Sequence, residues 1–390
     1  MPFLLIIILP AIFSIGIFFL DIYLIRQWLL FKDTIYTHYA NNCLIWAIVL
    51  TIISIFGRLL ITFIFSKVKA GTVNPTEEDS NLLENLNRPD GSKIHIKIYG
   101  DKQNPPIIFI HGWNANSNEW FYERRYFTDK YRVIVYDLPG LGKSKGPENK
   151  DYSLIKMAND LNAILEHLHL SNVVLWGHSM GGMIILTYCT RILKNNYKNI
   201  KGIILQHTTF TDPTKTSILN SILPKIEKPV LFPICYIMIA LWPLIWLLKW
   251  LSYFNGTQLI STRFLFFTGT QTPAQLNLIS LLSAKSSPAV FARGMLAMMK
   301  TYDVTNELQH LNIPTLILSG KYDRLTKPFA SAYMNKSITN SIYYSLPNSG
   351  HQGLVENNQD TIKIANSFLN HLKIIKDDKT NEPLISNLKL

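Results

Sequence analysis

Two kinds of apolar pattern run along this chain of 390 residues. Short runs at 94–99, 107–110, 132–136, 172–176, 202–206, 315–318 and 342–346 are rich in Ile, Val, Leu and aromatic residues and are bounded by Gly, Pro or polar clusters. Runs of that length and composition read as strands, and the segments between them are of helix length. The alternation predicts a mostly parallel sheet with helices on both faces. A second pattern of much longer apolar stretches falls near the N-terminus and again near residue 240.

Residues 3–20 are apolar apart from Ser14 and the small Gly16, and the stretch runs on through Asp21 to an aromatic and basic edge at Tyr23, Arg26 and Trp28. About 18 such residues suffice to cross a ~30 Å hydrocarbon core as a helix. No positively charged segment precedes it and no small-residue cleavage pattern follows, which favours a retained anchor over a cleaved signal peptide. A second stretch, 43–65, is interrupted by Arg58. A mid-depth charge is costly, so this span is expected to end near Gly57, with Arg58 at the interface and residues 59–65 along the membrane surface. Two spans in a hairpin is the preferred reading, and one span with an interfacial helix is the alternative. Asp21 and Arg58 would sit at different depths in a hairpin, so no pairing between them is expected. Lys67 and Lys69 beyond the second stretch, with Arg58 at its edge, outnumber Arg26 and Lys32 between the two, which leans toward a cytoplasmic globular part.

The formal net charge of +12 comes from scattered lysines, not from a basic block. No nucleic-acid motif or basic–aromatic stripe accompanies it, whereas attraction to an anionic lipid surface explains the excess. Cys43, Cys189 and Cys235 form no motif and imply no disulfide framework. His167 and His169 read as surface or core residues of a helix, no zinc spacing exists, and no cofactor is required.

Chemistry enters at Gly177-His178-Ser179-Met180-Gly181, directly after the apolar 173–176 and before a helix-like 182–188. A serine on a sharp strand-to-helix turn is exposed at a helix N-terminus, and flanking glycines avoid collisions with the neighbouring backbone. Upstream, the run 107–110 ends in His111-Gly112-Trp113, where the turn can aim the Trp113 amide at the serine. With the amide of Met180, it makes a two-donor oxyanion hole. Downstream, Asp323 follows the run 315–318, and His351 lies on a Pro/Asn/Gly-rich loop after 342–346. His351 is the candidate general base, and Asp323 the residue that sets its tautomer. The order Ser, Asp, His is the one this arrangement requires.

From about residue 91 to about 372 the chain resembles the α/β-hydrolase family, in its lipase, esterase and C–C-hydrolase-like branch. The resemblance rests on 90–95, His111-Gly112-Trp113, 136–144 with Asp137-Leu138-Pro139-Gly140-Leu141-Gly142, the serine elbow, 313–323 and Gly350-His351-Gln352. Leu141 departs from the histidine or aromatic residue of many relatives, a difference expected at the site rim. Asp212 lies near an alternative acid position seen in some relatives, with Asp323 preferred. The resemblance implies a helical cap at about 207–305, inserted before the acid-bearing strand. It divides the chain into an anchor (1–66), a polar linker (67–89), a hydrolase domain (90–375) and a polar tail (376–390).

Inside the cap, 230–248 carries no charge and has Pro233 and Pro243 within it and Pro229 before it. A third crossing there would put Ser179 and His351 on opposite sides of the bilayer. A proline-broken pair of short helices that caps the site and dips into the interface is expected instead. An apolar lid of this kind suits an ester lipid; a cap that merely covers the core is the alternative. The chain therefore reads as a membrane-anchored serine hydrolase acting on carboxylic esters of monoacylglycerol or lysophospholipid type. An acyltransferase using the same residues is the nearest alternative, and a membrane-tethered binding protein without turnover is the alternative from another class.

Overall fold

The computed structural model describes residues 2–65, 73–75, 80–194 and 196–377. Two long helices open it, α1 (Pro2–Phe31) and α2 (Thr37–Phe65), which fold back on each other around a short turn. Within them Leu9–Phe31 and Thr37–Ile64 are each long and apolar enough to cross a membrane. The change of direction expected after Gly57 is corrected: α2 runs unbroken through Gly57 and Arg58 to Phe65, so residues 59–65 continue the same helix. Its charge is met inside the protein, because Arg58 Nη1 donates to Tyr253 Oη at 2.7 Å and to Asn277 Oδ1 at 3.0 Å. Asp21 Oδ2 instead accepts from Thr51 Oγ1 at 3.0 Å across the hairpin.

All the expected strand runs form strands: β2 (Lys93–Tyr99), β3 (Pro106–Ile110), β4 (Arg132–Tyr136), β5 (Val173–His178), β6 (Ile200–Gln206), β7 (Thr315–Gly320) and β8 (Ser341–Leu346). One strand was not expected. β1 (Leu82–Asn87) lies within the segment assigned to the linker and pairs antiparallel with β2, Leu82 opposite Ile98. The other expected linker residues at 67–72 and 76–79 lie outside the described residues, as does the tail from 378. The sheet order is β1-β2-β4-β3-β5-β6-β7-β8, antiparallel at β1/β2 and β2/β4 and parallel throughout the rest.

The flanking helices are α3 (Phe121–Phe127), α4 (Leu154–His167) and α5 (Met180–Thr187) before the cap. The cap itself holds α6 (Pro213–Thr216), α7 (Leu223–Ile226), α8 (Phe232–Ala240), α9 (Trp242–Phe254), α10 (Thr257–Phe266), α11 (Pro273–Lys285) and α12 (Pro288–Thr301). After it come α13 (Pro328–Ser337), α14 (Gly353–Glu356) and α15 (Asn358–Asp377). Period-2 alternation sorts the strand side chains between two cores. Ile108 and Ile110 pack with Leu161 and Ile184 on one face, while Ile107 and Phe109 pack with Phe127 and Phe368 on the other. Because both faces are covered, the strands read as continuous apolar runs. The proline-broken pair is present: α8 and α9 meet at 94° around Leu241, each with a proline in its first turn.

Candidate active site

The parallel strands all end on the same side of the sheet, and the turns that follow them bring the chemistry together. β5 passes directly into α5 through Ser179, whose φ of 51° and ψ of −116° are strained for a residue with a side chain. That strain is held by close packing on either side. A Cβ on Gly177 would lie 2.4 Å from the Gly181 carbonyl carbon, and one on Gly181 would lie 2.1 Å from Ile110 O. Only glycine at both positions lets strand, turn and helix pack this tightly.

Ser179 Oγ lies 3.0 Å from His351 Nε2. On the other side of the ring, His351 Nδ1 lies 2.9 Å from Asp323 Oδ2 and 3.1 Å from Oδ1. A carboxylate only accepts, so Nδ1 carries the proton and Nε2 offers its lone pair to the serine hydroxyl. Asp323 also accepts from the amides of Leu325 (2.8 Å) and Thr326 (3.0 Å) and from Thr326 Oγ1 at 2.9 Å. Burial would raise the Asp323 pKa, yet His351, His207 and these donors hold it well below the carboxylate range. Asp212 stands elsewhere. It caps α6 through the Thr214 amide at 2.9 Å, and burial together with hydrogen bonding to Glu227 pushes it up to about 7. Of the two candidate acids, only Asp323 meets His351.

The two residues expected to offer oxyanion donors line the same narrow cavity as the serine: Trp113, Ser179 and Met180 share it with Met183, Met295 and Met298. Among the described residues, neither the Trp113 nor the Met180 amide has a protein acceptor. The Trp113 indole is anchored in the cap, its Nε1 donating to Phe291 O at 3.0 Å. A second narrow cavity also touches Ser179 and Trp113 and is walled by Phe266, Ile279 and Leu282 of the cap. Leu141 is buried and lines neither of these cavities, but it does line a neighbouring one that shares Ala115 and Leu282 with the second.

Three further buried groups escaped sequence reading. Glu119 Oε2 accepts the Gly112 amide at 2.8 Å and its Oε1 accepts Gln352 Nε2 at 2.9 Å, so the carboxylate fixes the turn that carries Trp113. His178 Nε2 donates to His351 O at 2.9 Å, while its Nδ1 lies 3.1 Å from Glu119 Oε1, off the line of a good hydrogen bond but close enough for an ion pair. Burial would neutralise both partners, but their mutual attraction wins: Glu119 falls to about 2 and His178 is raised above its ordinary value. His207 Nδ1 lies 3.2 Å from Asp323 Oδ2 and 3.1 Å from the Gly320 amide. Burial lowers His207 to about 4, so the ring is neutral. A proton on Nδ1 would give Asp323 a donor, whereas a lone pair there accepts the Gly320 amide, so this nitrogen serves one of its two neighbours at a time. The missed signal was periodic: His178 alternates with Val174 and Trp176 on a wholly buried strand face, where an imidazole needs a buried partner.

Similarity to known proteins agrees with the fold. The family model described as alpha/beta hydrolase fold matches residues 105–228. The AB hydrolase superfamily protein YisY of Bacillus subtilis is 28% identical over 268 residues, covering 68% of this chain and 91% of that one. Epoxide hydrolase 3 of Xenopus tropicalis is 33% identical over 105 residues, 27% of this chain; the match spans only 29% of that protein. Among solved structures, a thermophilic esterase from Thermogutta terrifontis superposes with a TM-score of 0.61 at 21% identity, covering 75% of this chain and 99% of that one.

Proposed function

We propose that this chain, which has the α/β-hydrolase fold, is a membrane-anchored serine hydrolase that cleaves carboxylic esters through an acyl-enzyme. The reading is carried by the relay from Ser179 Oγ through His351 to Asp323, with steps of 3.0 and 2.9 Å. His351 takes the serine proton as Oγ attacks the acyl carbonyl, then returns it to the leaving alcohol. The amides of Trp113 and Met180 receive the negative charge that develops on the carbonyl oxygen. Water, activated by the same imidazole, attacks the acyl-enzyme and releases the acid. Asp323 stays ionised throughout, stabilising the imidazolium.

The substrate class that fits is an ester with an apolar acyl chain, of monoacylglycerol or lysophospholipid type. Methionines and leucines wall the two cavities beside Ser179, and unbranched thioethers adapt to a flexible chain. Transfer to an alcohol in place of water would use the same residues. The domain division proposed is an anchor of two spans, a hydrolase domain with its cap between β6 and β7, and a globular part on the cytoplasmic side.

The test is hydrolysis of p-nitrophenyl esters of increasing chain length by the full-length protein in vesicles, beside Ser179→Ala. Medium and long chains are expected to turn over, with a loss of about 10⁴-fold or more in the variant. Equal turnover by wild type and variant overturns the reading.

A further inference from the structure

The seam between the hairpin and the cap lies far along both apolar helices from the turn that joins them. Ser14 of α1 stands 17 residues from Phe31 at the turn, ~26 Å of helix, and Arg58 of α2 stands 21 residues from Thr37, ~32 Å. These levels fall near the end of a ~30 Å hydrocarbon core measured from the turn. Cap helices dock there. Ser14 Oγ lies 3.0 Å from Ser252 Oγ and accepts from Asn255 Nδ2 at 2.8 Å. Gly57 abuts the Asn255 carbonyl so closely that a Cβ would come within 2.4 Å of its oxygen. Arg58 reaches both α9, at Tyr253, and α11, at Asn277.

Beyond this seam, α8 and α9 turn an apolar face outward. Ile237, Trp242, Leu244 and Leu247 are each about half exposed. The single charge on either helix, Lys249, points inward, where its Nζ donates to Ser286 O at 2.7 Å and is buried. On α8, Tyr236 meets a cation from α12, its Oη accepting from Lys300 Nζ at 2.9 Å. An apolar face with inward-turned polar groups is the pattern of a segment resting in hydrocarbon, and a lysine–tyrosine edge suits the headgroup boundary above it.

We propose that α8 and α9 lie in the hydrocarbon of the leaflet nearest the hydrolase domain, clamped to the hairpin as a third apolar element that enters this leaflet without crossing. The occupant of the exposed face is the acyl layer of that leaflet. The same clamp ends at Asn277 on α11, two residues from Ile279 in the cavity wall beside Ser179, so a lipid ester meets the site without passing through water. The proposal rests on the membrane-anchored reading above but not on the chemistry of Ser179.

Its test is electron paramagnetic resonance on the full chain in phosphatidylcholine nanodiscs, with its three buried cysteines replaced by alanine. Nitroxides are placed by Leu244→Cys or Leu247→Cys, with Leu20→Cys in the hairpin and Lys102→Cys on the hydrolase domain as references. Labels at 244 and 247 are expected to match 20, open to oxygen and several-fold less accessible than 102 to a water-soluble nickel chelate. Labels at 244 and 247 that match 102 while 20 stays shielded overturn the proposal alone. A label at 20 that is itself open to nickel overturns the anchor and the proposal together. Neither outcome depends on turnover.

Discussion

Two regions of this molecule bury polar groups among apolar ones, and they do so in opposite ways. At the sheet edge, His178, His207 and His351 crowd around Asp323 and Glu119, with the His178 and His351 rings 5.0 Å apart and those of His207 and His351 6.0 Å apart. Carboxylate faces imidazole there, and proton affinities move by burial and by charge together. In the seam between hairpin and cap, Arg58 meets neutral groups: the hydroxyl and ring face of Tyr253 and the amide oxygen of Asn277. A cation held by neutral groups fixes position without offering a proton partner. The first region is built for chemistry, the second for placement.

Breaking the relay should have the largest effect. Asp323→Asn is expected to lower kcat on a soluble ester about 10⁴-fold by reversing the hydrogen-bonding sense at His351 Nδ1, while Asp212→Asn stays within about 10-fold. Steady-state kinetics on the two variants separate the candidate acids. Next comes Glu119→Gln, which leaves His178 without its counter-charge. A loss of roughly 3–5 kcal/mol of stability is expected from breaking a buried pair, read as a lower Tm, with slower turnover because the Gly112 amide loses its ionised acceptor.

The sheet-edge histidines and carboxylates also set the response to pH. The unfolded chain protonates His207 near its ordinary 6.5, whereas the folded ring resists until about 4. Its contribution therefore declines as pH falls between those values. Glu119, at about 2 against 4.5, adds a further loss below pH 4.5. His178, raised, acts with the opposite sign: its contribution is complete below its ordinary pKa and fades as pH rises through the folded one. Thermal melts across pH should show a decline from 6.5 toward 4 that His207→Gln flattens. The smallest effect is expected in the seam. Arg58→Gln keeps a neutral donor for Tyr253 and Asn277, and should cost about 1–3 kcal/mol in stability while leaving turnover of a short ester nearly unchanged.

The contrast between the regions also explains what the sequence made legible. Ser179, Asp323 and His351 each follow a strand run, so strand periodicity and turn residues located them separately before the fold brought them together. β1 was not legible, because Leu82–Asn87 (Leu-Leu-Glu-Asn-Leu-Asn) has no alternation of apolar and polar residues and, as an edge strand, no fully buried position. The unbroken α2 was not legible either. Arg58 reads as a terminator until Tyr253 and Asn277, some 200 residues away, supply partners. Glu119 and His207 escaped for the same reason: each is explained by partners distant in the chain, and of these buried groups only His178 carries a local sign, its place in the alternation of β5.

The most direct test of the account is the site of a covalent adduct. The membrane-reconstituted protein would be treated with a fluorophosphonate, digested and read by mass spectrometry. A single adduct on Ser179, lost in Ser179→Ala and strongly reduced in Asp323→Asn, is the predicted result. An unmodified Ser179 in a protein whose Trp fluorescence shows it folded, or an adduct on another serine, would contradict it.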